Sequence, residues 1–275
     1  MSSKPELMKS NPIHKWPAFV AASLIFMVPA FSQESARHVR FLPLGDPPPY
    51  MQDVRDGVAY EIDPPEGSLP PREVVVGNPK PQGEGGQASV DETAKPMMLR
   101  LGVTTAATKV PGGEGILQLR RPADVAPQLP WLSVKRPAAG DFMVFLWRRT
   151  GAPTWNEVTH LIVPDGPVGA PSGTVRITNL FPQPVSMFWG KENLELKAGD
   201  SLVRRIEPGT DVPFAVVAGG KRYFSSTVTQ NKNERGWITL YRADAEQPRR
   251  PLKVSVFREP VVPYSPPKTA ATGNR

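Results

Sequence analysis

The chain has 275 residues, with 33 Lys and Arg against 26 Asp and Glu, and it contains 34 Pro, 23 Gly, 3 His and no Cys. Proline, at about 12% of the chain, runs at more than twice its ordinary share of roughly 5% and is spread along the whole length, which excludes long helices nearly everywhere. The absence of Cys excludes a disulfide framework, a thiolate nucleophile, a zinc knuckle and an iron–sulfur cluster.

Residues 1–15 carry Lys4, Lys9, His14 and Lys15 against Glu6, and lead into an apolar run from Trp16 to Phe31. A basic start, an apolar stretch and the small residues Ala30 and Ser32 predict a signal peptide over 1–32, cleaved after Ser32. A retained anchor is the alternative. Sixteen apolar residues at about 1.5 Å each span only about 24 Å of a hydrocarbon core roughly 30 Å thick. The expected location is outside the cytoplasm, in the periplasm or at the cell surface, with no stable membrane span after cleavage.

Residues 33–95 hold 6 basic and 11 acidic residues, whereas 96–275 hold 24 basic and 14 acidic. The acidic stretch reads as an extended Pro-rich segment with short β-like runs at 38–44, 57–62 and 72–76, and its stretch 77–89, rich in Gly and polar residues, reads as a linker. From Met98 onward, alternating hydrophobic residues are punctuated by turn signals in the manner of antiparallel sandwiches or barrels. A faint duplication runs through this region. MLRLG (98–102), ILQLRRP (116–122), DFMVFLWR (141–148) and EVTHLIVP (157–164) are followed in the same order by TVRIT (174–178), NLELKAG (193–199), RGWITLYR (235–242) and PLKVSVF (251–257). The expected fold is all-β: two tandem antiparallel β-sandwich domains of immunoglobulin-like or cupredoxin-like size, at 96–168 and 172–259, ahead of a disordered tail at 260–275.

The run TVRITNLFPQPVSMFWGKENLELKAGDS resembles the opening strands of small exported bacterial β-sandwich domains. The whole chain resembles uncharacterised exported bacterial proteins that begin with a Pro-rich segment such as RFLPLGDPPPY and end in two such domains. Its second domain is similar to periplasmic adaptor proteins of exopolysaccharide acetylation. These resemblances imply export and a binding or adaptor role.

Few residues offer catalysis. Behind the signal segment only His38 and His160 remain, and His160, in the strand pattern EVTHLIV, reads as a half-buried sheet histidine. Copper of the cupredoxin type needs a Cys beside two His, and no Gly-x-Ser-x-Gly elbow exists for a hydrolase triad. Asp53, Asp56, Glu61, Asp63 and Glu66 could in principle supply a carboxylate pair, but they sit among Pro and Gly and read as a solvated face. Neither a metal nor a cofactor is expected. The remaining signal is aromatic rings beside Arg: Trp237, Tyr241 and Arg242, with Trp147 and Arg148 as their repeat equivalents. Such rings stack on sugars or on a protein surface. The sequence therefore points to an exported, non-catalytic binding or scaffolding protein whose partner is an envelope protein or an anionic polysaccharide, not nucleic acid. A polysaccharide-modifying enzyme, or an adaptor subunit of an exopolysaccharide-modifying complex, is the rival.

Overall fold

The computed structural model describes residues 37–77, 95–122, 130–244 and 248–261. The expected signal segment, the body of the linker and nearly all of the tail lie outside these residues. What is described is nearly all β, with one four-residue helix, α1 (Gly166–Gly169). Among the described residues no helix is long and apolar enough to cross a membrane.

The strands fall into two sets along the chain. The first comprises β1 (Arg37–Leu44), β2 (Met51–Arg55), β3 (Val58–Ile62), β4 (Glu73–Gly77), β5 (Met97–Met98), β6 (Thr108–Val110), β7 (Gly115–Arg120), β8 (Leu132–Arg136), β9 (Phe142–Arg148) and β10 (Val158–Pro164). The second comprises β11 (Thr174–Asn179), β12 (Val185–Trp189), β13 (Glu192–Leu196), β14 (Ser201–Arg205), β15 (Asp211–Ala218), β16 (Lys221–Thr229), β17 (Glu234–Arg242) and β18 (Leu252–Pro260). In the first set one four-stranded sheet runs β10-β9-β1-β6 and another β5-β4-β7-β8; in the second they run β18-β17-β11-β14 and β13-β12-β15-β16. With the hairpin β2-β3 set aside as a separate two-stranded sheet, the two halves have the same strand order throughout. They also share an unusual pairing, since β1 lies parallel to β9 and β11 parallel to β17, while the other pairs are antiparallel.

The alternation of side chains dictates where the cores form. Val39 and Phe41 on β1, with Phe142, Val144 and Leu146 on β9, share a buried cluster with Val74, Leu117, Leu119 and Val134 from the other sheet. The equivalent cluster joins Val175, Ile177, Ile238 and Leu240 to Val185, Met187, Phe214 and Val216. Because successive side chains point to opposite faces, the alternate residues of the same strands are left on the outside of each half. There they form a third cluster: Leu42, Leu44, Met143, Phe145 and Val163 from the first half meet Leu180 and Trp237 from the second.

Two sequence expectations change here. The strand that answers to TVRIT is HVRFL (38–42), since Val39 lies opposite Phe142 as Val175 lies opposite Gly236. NLELKAG answers to residues 96–102: Gly102 N–H donates to Pro43 and Val103 N–H to Arg100, as Gly199 N–H donates to Asn179 and Asp200 N–H to Lys197. The duplication at 141–148 and 157–164 does match β17 and β18. The first half thus draws its central strand from the Pro-rich acidic segment, and the sheet boundary does not fall at residue 96. The register is masked in sequence because the first half inserts β2-β3 after β1, and because six residue steps from Gly102 to Thr108 replace the five from Gly199 to Arg204 that reach the same pairing position.

Candidate functional site

Trp237 lies at the centre of the face between the halves and is 1% exposed. It meets Phe145 edge to face at 6.1 Å and stacks on Phe257 at 6.0 Å. Its neighbours Ile238 and Leu240 face the second core, as the pattern predicts, so Trp237 does occupy the outer face of its sheet; that face is covered by the first half and offers no ring to a ligand. Tyr241 is half-buried against the same cluster, and burial together with the nearby Asp46 and Asp244 pushes its phenol up to about 12.

The other three residues expected at a site come together. Trp147, Arg148 and Arg242 line a cleft of about 560 Å³ with Gly151, Pro153 and Asp244. Arg148 is committed: its Nη1 donates to the Pro153 carbonyl at 3.0 Å and its Nη2 to the Asp244 carbonyl at 2.9 Å. Asp46 and Asp244 cap each other, each backbone N–H donating to the other's carboxylate at 3.0 and 3.2 Å. Arg242 is exposed and forms no ion pair with any described residue.

Sequence reasoning missed a buried ionic cluster at the seam. Arg40 on β1 donates Nε and Nη2 to Asp165 at 2.6 and 2.8 Å, and Nη1 and Nη2 to Glu259 at 2.5 and 2.8 Å. Glu259 also accepts from Arg235 Nε at 2.7 Å and from Trp237 Nε1 at 2.9 Å. Burial alone would raise the Glu259 carboxyl, but the bonds and charges of Arg40 and Arg235 outweigh it and hold the carboxyl below its ordinary value. Burial likewise works against the charged Arg40, and its bonds to Glu259 and Asp165 overcome it. The signal was present in the repeat, since Arg40 and Arg176 occupy the same place in β1 and β11; both are arginines on the face turned toward the other half.

The carboxylates Asp56, Glu61, Asp63 and Glu66 are exposed, and Asp53 is paired with Arg55 at 2.7 Å on the hairpin β2-β3. Among the described residues no group of three or more His, Asp or Glu is gathered for a metal. His160 is half-buried on β10, and burial lowers its pKa.

An opening lies on the first half, between β4 and β5 of one sheet and β6 of the other. A cleft of about 1130 Å³ is lined by Val76 and Gly77 of β4, Met97 and Met98 of β5, and the run 103–111 that contains β6. In the second half the same side is closed by β13 and β14, of five residues each; their counterparts β5 and β6 have two and three. Pairing of β12 with β13 continues to Trp189, whereas pairing of β4 with β5 stops at Val74. Past that point the outer edge of β4 has no strand partner among the described residues. Met98 and Val103 are 41% and 53% exposed at the opening, and among the described lining residues Lys95, Arg100 and Lys109 are charged and none is Asp or Glu. An unpaired strand edge above an apolar floor is suited to taking an additional strand.

The chain matches no known protein-family model, and no curated protein aligns with it significantly in sequence.

Proposed function

We propose that the chain is an exported, non-catalytic binding or scaffolding protein of the bacterial cell envelope, built of two tandem β-sandwiches, whose open first sandwich takes an extended segment of a protein partner. The observation that carries this reading is the apolar, basic-rimmed cleft where β5 and β6 are cut short relative to β13 and β14. Main-chain bonds to the edge of β4 past Val74, which has no partner among the described residues, supply affinity in such a mode, and side-chain pockets supply selectivity.

The test is capture from detergent-solubilised envelope extract by the full chain at low and at high salt, with bound protein and polysaccharide both identified. Met98→Lys with Val103→Lys, both at exposed positions, is expected to abolish retention of a protein that the unsubstituted chain holds at high salt. Retention of that protein by the doubly substituted chain sinks the reading.

A second reading follows from the uncommitted Arg242 beside Trp147 and Arg148, a cleft suited to an anionic polysaccharide. It predicts salt-sensitive polysaccharide capture that Arg242→Ala removes and the cleft substitutions leave unchanged.

A further inference from the structure

The hairpin β2-β3 is as unusual as the open cleft. Among the described residues its two five-residue strands pair only with each other, and an isolated two-stranded hairpin is marginal in water. Register puts Met51 opposite Ile62, Asp53 opposite Tyr60 and Arg55 opposite Val58 on one face. The four apolar members of that face, Met51, Val58, Tyr60 and Ile62, are 40–53% exposed. The chain therefore holds out a preformed strand pair with an apolar face that no other described residue buries.

Resting on the binding reading of the cleft, we propose that the cleft of one copy receives the β2-β3 hairpin of a second copy, so that the protein assembles head to tail with itself. Three features fit the two surfaces to each other. The hairpin region 51–63 is acidic, with Asp53, Asp56, Glu61 and Asp63 against Arg55, while Lys95, Arg100 and Lys109 supply the cleft's charges. Hairpin strands of five residues have the length of β13, the strand whose counterpart β5 is cut short beside the edge of β4. Both surfaces set apolar groups beside a strand edge that has no partner among the described residues, the combination that strand addition satisfies. Because hairpin and cleft are different patches, the contact is heterologous, and repeating it builds a ring or an open fibre rather than stopping at a two-fold dimer.

Sedimentation velocity of the full chain over a concentration series tests this. The unsubstituted protein is expected to grow beyond a monomer. Val58→Lys with Tyr60→Lys on the hairpin, or Met98→Lys with Val103→Lys at the cleft, should each weaken association by about tenfold or more, which is roughly 1.4 kcal/mol per decade. An equimolar mixture of the two substituted proteins keeps one good hairpin and one good cleft, so it should form a one-to-one dimer that does not elongate. With no native Cys, Val58→Cys mixed with Met98→Cys should give an intermolecular disulfide. A protein that stays monomeric overturns the inference, as does association insensitive to both substitutions or a disulfide that closes within one doubly substituted chain. If self-association is absent while the cleft substitutions still abolish capture of an envelope protein, the binding reading stands and only its occupant is wrong. Should the cleft substitutions change neither assay, both readings fail.

Discussion

Glu259 serves three donors at once: Arg40, Arg235 and Trp237. Its side chain is 18% exposed and that of Arg40 13%, so removing the charge leaves guanidinium groups partly stranded. Glu259→Gln should cost about 3 kcal/mol, measured by denaturant unfolding near neutral pH. The same group sets an acid limb. Its folded pKa lies below the ordinary carboxylate value, so its contribution is whole above the unfolded value of about 4.3 and is lost as pH falls through the lower, folded value. Stability measured from pH 6 downward should fall less steeply in Glu259→Gln than in the unsubstituted protein. Trp237 gives the companion prediction: buried to 1% exposure, its replacement by Ala should cost about 4 kcal/mol, whereas Trp147→Ala, at a half-buried position, should cost distinctly less. Equal losses for the two would contradict a sealed seam around Trp237. The period-two pattern correctly set Trp237 apart from Ile238 and Leu240. It could not reveal what covers the outer face, because that depends on a second sheet more than ninety residues away, at Phe145.

At the scale of elements, the all-β character and the strands β9, β10, β17 and β18 were legible because segments of seven to nine residues rich in β-branched and aromatic side chains favour strands. β1 was legible as a short β-like run at 38–44, but its place in the first half was not: a Pro at position 43 and a run of Pro after it suggest an extended segment, and nothing local announces a parallel partner. The equivalence of the halves rests on turns as well as strands. Gly102 and Gly199 have φ of 70° and 82°, in the left-handed region where a Cβ is unfavourable, and neither would bring a Cβ within 4 Å of another group. Gly102→Ala and Gly199→Ala should therefore each cost about 1 kcal/mol through the backbone alone. A large difference between them in matched unfolding curves would mean that the two turns do not do the same job. The open cleft was illegible for a related reason: it is defined by two shortened strands, and shortness shows only against the longer counterparts.

The halves are joined as a whole by an apolar face of Leu42, Leu44, Met143, Phe145, Leu180 and Trp237 and by the ionic cluster at its rim. Two independent cores sharing such a seam should unfold together in calorimetry. Phe145→Ala empties the seam without touching Val144 or Leu146, which belong to the first core. It should separate the single transition into two, and persistence of one sharp transition at lower temperature would show that the seam is not what couples the halves. The sequence conveyed that there are two repeats. How they meet was not visible in it, since the residues of the meeting face alternate with core residues, mix large apolar side chains with Arg40, Arg176 and Thr178, and carry no local mark of the sheet that covers them.

The parallel pairing of β1 with β9 also governs when the first half can come into being. Val39 meets Phe142 across 103 positions of chain, and closing so long a loop is slow because its entropy is spent before any contact returns it. As the ribosome releases the chain, β1 waits without β9, its partner along most of its length, until nearly the entire first half has been made, and has β6 alone to pair with at Arg37–Val39. A nascent chain halted before residue 142 cannot complete that core, so the amides of Arg40, Leu42 and Leu44, which face β9, should show no protection in pulse-labelled hydrogen exchange, and protection there in such a fragment would contradict this order. The protein remains threadable through a narrow channel for as long as β9 is missing, and locks only when the last strands of each half arrive.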